Sequence, residues 1–101
     1  MTNPKLSLLI PNFIDAINNI KQDEFDSHDF LGALIGINPQ SYIETLYREY
    51  RKYEDPFKHL HSDIASELLA FNKIVQKTNT KIASKNIYNN TTPVEVWRKQ
   101  N

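Results

Sequence analysis

Residues 73–99 read KIVQKTNTKIASKNIYNNTTPVEVWRK, and the fold turns on how they are read. Lysine recurs at Lys73, Lys77, Lys81 and Lys85, the spacing of one helical stripe. The apolar residues Ile64, Leu68, Phe71, Val75 and Ile82 also keep a helical rhythm into this stretch. Against a helix stand Thr78-Asn79-Thr80 and the segment SKNIYNNTTP. Their short polar side chains compete for backbone hydrogen bonds and favour turns or strands. The β-branched pair Ile74-Val75 and the alternating PVEVW argue for strands. The stretch thus predicts one strand over 73–78 and another over 94–98. A basic loop spans 79–93 between them, with a short strand at Ile87-Tyr88. A loop that long is unusual inside a compact domain and is often functional.

Upstream, the pattern is helical. The first helix is expected over 11–22, opened by Pro11, with Phe13, Ile14, Ile17 and Ile20 as its apolar stripe. QDEFDS reads as a turn. Ser27 then reads as the cap of a helix over 28–37, with Phe30, Leu31, Leu34 and Ile35 inward. Gly32 and Gly36 in that helix are expected to allow close packing of a neighbour. Asn38-Pro39 and Asp55-Pro56 each place a capping residue before a proline that suits the first helical turn. They predict helices over 39–53 and 56–72. The apolar face of the former is Ile43, Leu46, Tyr47 and Tyr50, and that of the latter Phe57, Leu60, Ile64, Leu68 and Phe71.

The fold class is therefore α+β and mainly helical, with three to four helices followed by a small antiparallel β-hairpin in a single domain over 1–101. This order of elements, with the two proline-marked helix starts and the final VEVW strand, resembles a winged helix-turn-helix domain across residues 27–99. The resemblance is one of architecture and carries no diagnostic short motif. It implies a recognition helix over 56–72 and a wing that touches the nucleic-acid backbone.

Charge is unevenly spread. The 101 residues sum to zero, yet residues 1–50 carry −4 and residues 51–101 carry +4. Such asymmetry points to an anionic partner at the basic end. The expected phosphate contacts are Lys73, Lys77, Lys81, Lys85 and Asn86 in the wing, with Arg98 and Lys99 after it. Lys58 and Ser62 join them from the recognition helix. Asp63 and Glu67 are expected on the same outward face, where they would repel phosphate. The alternative reading is a protein-interaction or dimerisation module of the same fold. Tyrosine and arginine are enriched at interfaces, so YREYRKY is its candidate, with Tyr42 and Tyr53 flanking.

No enzyme, cofactor or small-molecule substrate is expected. Cysteine is absent, which removes thiolate ligands and nucleophiles and fits a reducing, cytoplasmic setting. Two glycines leave no phosphate-cradling loop. His59, Asp63 and Glu67 lie four apart and form the one spacing that suits a metal. Ser62, His59 and Asp63 are the residue types of a nucleophilic triad, but side chains on one helix rarely converge on one atom. Apolar runs are too short for a membrane span, and Asn12 and Asp15 interrupt LSLLI too soon for a leader.

Overall fold

A computed structural model describes residues 3–85 and 91–100. Pro4 and Pro11 each sit in a single 3-10 turn, Pro4–Leu6 and Ile10–Asn12, in place of a continuous first helix. Leu6 and Leu9 are three apart, which a 3-10 turn brings to one side, and both are fully buried. Helix α1 is only Phe13–Asn19. It stops short of residue 22 because Ile20 turns extended at φ −79°, ψ 122° and stays buried. Ile14, expected in its inward stripe, is 46% exposed.

The next segment departs from expectation. QDEFDS holds a strand, β1, Glu24–Asp26, where a turn was predicted. Glu24 and Asp26 are poor strand formers, but Phe25 is buried and the backbone pairs with a distant partner. Tertiary pairing overrides local preference here. β1 delivers Asp26, not Ser27, as the cap of α2, Ser27–Ile37. Asp26 accepts from the Asp29 N–H at 2.8 Å and Asp29 accepts from the Asp26 N–H at 3.0 Å, a reciprocal capping box. Ser27 instead accepts from the Trp97 indole at 3.1 Å. Gly32 and Gly36 face open space, so the close packing expected of them is not made.

Both proline-marked starts are as expected. Asn38 caps α3, Pro39–Thr45, through the Ser41 N–H, and Asp55 caps α4, Pro56–Glu67, through the Lys58 N–H. α3 then widens into a π turn, Leu46–Tyr50. The π turn repeats at five residues, so Thr45 and Tyr50 come to lie inward together. This rotates the expected face. Tyr42, Thr45 and Tyr50 are buried, whereas Ile43 and Tyr47 are each 62% exposed. α4 buries Leu60, Ile64 and Glu67 and ends in a 3-10 turn, Leu68–Phe71.

Strand β2 is Val75–Lys85 and β3 is Thr91–Lys99. The described part of the loop expected over 79–93 is therefore mostly paired strand. Lys81 lies opposite Glu95, Ile82 opposite Val94, and Lys85 opposite Thr91. The Ser/Thr-rich composition that argued for a loop is tolerated because this part of the ribbon is largely exposed, and its β-branched residues suit a pleat. Among the described residues the predicted break survives as a bulge between Lys77 and Lys81, with Asn79 at φ 64°. Asn86 and the expected strand at Ile87-Tyr88 lie outside the described residues.

The sheet is antiparallel with order β1-β3-β2, and helices cover one face of it. The core runs from Leu6, Leu9 and Phe13 through Phe30, Leu34 and Tyr50 to Leu60, Ile64 and Leu68, all at most 1% exposed. Phe13 is its centre, edge-on to Phe30 at 4.9 Å and stacked on Phe71 at 5.1 Å. Among the described residues no helix is long and apolar enough to cross a membrane.

Candidate nucleic-acid interface

Lys58, Ser62 and Ser66 stand four apart on α4 and are all exposed, so they form one stripe along its outer side. The two acids expected beside them point elsewhere. Asp63 accepts from the buried Tyr50 hydroxyl at 2.6 Å. Glu67 is 6% exposed and accepts from the Asn3 N–H at 2.9 Å. Between Lys58 and Leu69 no carboxylate is exposed.

Directly opposed residues of an antiparallel pair share a face. Lys77 lies opposite Trp97, and Trp97 is buried toward α2. Lys77, Lys81 and Glu95 therefore belong to the helix side of the ribbon, while at its outer end Ser84 reaches α2, its Oγ 3.0 Å from His28 Nδ1. Glu95 Oε1 stands 3.6 Å from both Lys77 Nζ and Lys81 Nζ. One carboxylate thus holds two cations and leaves a local surplus of one. A small cleft of about 110 Å³ joins this cluster to α4, lined by Ser66 and Leu69 on one side and Lys77, Glu95 and Trp97 on the other. A neighbouring cleft of about 230 Å³ lies between Ser62 and His61 of α4, His28 of α2, and Pro93 of β3. The α4 stripe and the lysine pair are consequently parts of one surface.

The other predicted contacts lie apart from it. Arg98 is on the opposite face of the sheet and donates from Nε and Nη2 to Glu24 Oε2, at 2.9 and 2.5 Å. Lys99 is half-buried and its ammonium donates to the Ile20 carbonyl, closing the end of α1. Lys73 is exposed in the turn before β2. Tyr42 is buried in the core, its hydroxyl 2.6 Å from His61 Nε2. Tyr53 is half-buried, stacked on His59 at 4.4 Å and covered by the Lys5 ammonium at 4.9 Å. The open aromatic of this segment is Tyr47, under the Arg51 guanidinium at 4.7 Å.

Protonation states follow from burial. His61 is pushed down to about 4, chiefly by burial, with the nearby His28 adding to the effect and Asp55 opposing it. It is neutral at pH 7 and adds no positive charge to the surface. Burial and the bond to Asp63 push the Tyr50 hydroxyl far above its ordinary range, so it stays a donor.

Ser62, His59 and Asp63 do not converge, since His59 stacks on Tyr53 and Asp63 serves Tyr50. Among the described residues no group of three His, Asp or Glu could hold a metal ion. Glu95 is the residue of this surface that sequence reasoning left out, since nothing local marks it as a lysine clamp. No protein-family model matches the chain, and neither a curated protein nor a solved structure shows significant similarity to it.

Proposed function

We propose that the chain is a small nucleic-acid-binding module of winged-helix type. In this reading α4 lies against a duplex groove, with Lys58, Ser62 and Ser66 leading, and Lys77, Lys81 and Lys85 of the ribbon meet phosphates. The single observation that carries it is the inward turn of Asp63 and Glu67. It leaves α4 from Lys58 to Ser66 without an exposed carboxylate beside the lysine-bearing ribbon, the exposed Glu54 and Asp55 standing at the helix start next to Lys58. Short serines let a helix approach a backbone closely, and the lysines supply non-specific attraction.

The test uses fluorescence anisotropy with generic duplex DNA at several salt concentrations. Neutralising about four phosphates predicts a log–log salt slope near −3.6. Lys77, Lys81 and Lys85 changed together to Glu should abolish binding. Glu95→Gln should strengthen it several-fold, because it releases both lysines from their clamp. Absence of binding at micromolar protein in low salt, or a Glu95→Gln variant that binds more weakly, would overturn the reading.

A second reading is a protein-interaction module of the same fold. The 62% exposure of Ile43 and of Tyr47 on α3 and its π turn favours it.

A further inference from the structure

Ile43 and Tyr47 lie four apart and stand out together from α3 and the π turn that continues it. They are the two most exposed large apolar residues among those described. Beside them Glu44 and Arg48, also four apart, form an exposed ion pair at 2.8 Å. Both pairs centre near residues 45 and 46. A twofold axis through that point would set Ile43 against Tyr47 of a second copy, and Glu44 against Arg48 of the second copy. The same operation supplies the reciprocal contacts, so the Glu44 and Arg48 charges complement themselves across the axis, and each Tyr47 ring reaches it under the Arg51 guanidinium of its own copy.

We infer that this face is a twofold self-association surface, in which two copies pack α3 against α3 antiparallel. The two Glu44–Arg48 pairs then close a ring of four alternating charges around a small apolar centre. With two exposed large apolar residues from each copy, the contact is expected to bury less than the roughly 800 Å² per partner of a standard interface, so the dimer is weak and concentration-dependent. Its dissociation constant is expected on the order of 100 µM. The inference does not rest on nucleic-acid binding, because none of the four residues belongs to α4 or the ribbon.

Sedimentation velocity from about 10 µM to about 1 mM tests it. The wild-type chain should move from monomer mass toward twice that mass. Glu44→Arg or Arg48→Glu alone places like charges across the axis twice and should weaken association about tenfold. The double reversal Glu44→Arg with Arg48→Glu should restore it. Circular dichroism melts of each variant check that the fold is intact, which exposed positions allow. A wild-type chain that stays monomeric throughout leaves the face to solvent or to a different protein and overturns the inference. Single reversals that dimerise like wild type overturn it too, as does a folded double reversal that fails to recover.

Discussion

At the scale of single residues, burial decides what each polar group does. Thr45 is 1% exposed and its hydroxyl finds no hydrogen-bond partner among the described residues. An unpaired buried hydroxyl costs about 1–3 kcal/mol. Thr45→Val keeps the shape and removes the polar atom, so it should raise stability by about 1 kcal/mol in urea unfolding. A lower midpoint would show that the hydroxyl is satisfied. His61 carries a pH dependence. Its folded value of about 4 lies below the 6.5 of the unfolded chain. Between those values the unfolded chain binds the extra proton, so the His61 contribution is complete above pH 6.5 and is lost as pH falls through 4. The unfolding midpoint should therefore drop across that window in wild type. The drop should be smaller in His61→Phe, once the titration common to both proteins is subtracted.

At the scale of elements, the ribbon is the part that sequence patterning described least well. Its base was legible, because Ile74-Val75 and VEVW carry ordinary strand signals. Its outer half was not. Thr, Ser and Asn signal a turn by local preference, whereas ladder pairing with residues six or more positions away made them a strand. The turn signal of Thr78-Asn79-Thr80 was not empty, since it became the bulge. Asn79 there adopts a left-handed conformation that asparagine tolerates and β-branched residues do not. Asn79→Val should cost about 1–2 kcal/mol, while Asn79→Gly should be neutral or slightly stabilising. Equal losses from both would detach the bulge from its backbone geometry. The lysine rhythm also acquires a structural meaning. β2 is an edge strand, and lysines with a bulge are what keep such an edge from pairing with other chains. That role and phosphate contact are compatible, because both need the ammonium groups in water.

At the scale of the whole molecule, Trp97 ties the sheet to the helices. It is 2% exposed, lies opposite Phe25 on one side and Lys77 on the other, and donates to Ser27 at the start of α2. Trp97→Ala should cost about 3–5 kcal/mol, a large share of the 5–15 kcal/mol available to a domain. Its unfolding should remain a single transition, because the three elements it joins share one core. Separate melting of ribbon and helices would contradict that.

The sequence by itself determined where α3 and α4 begin, the extent of α2, and the existence of a C-terminal β-ribbon. Those signals act within one turn of chain, through a capping side chain, a proline or an alternating pair. The tertiary structure decided the rest. It made a strand of Glu24–Asp26, turned Tyr42 inward and Tyr47 outward through a π turn, and drew Asp63 and Glu67 off the outer side of α4. The strand, the inward Tyr42 and both acids depend on a partner 13 or more residues away, such as Tyr50 for Asp63 and Trp97 for Phe25. The physical reason is that burial and strand pairing are settled between distant segments, and their free energies outweigh the fractions of a kilocalorie by which neighbouring residues prefer one backbone shape.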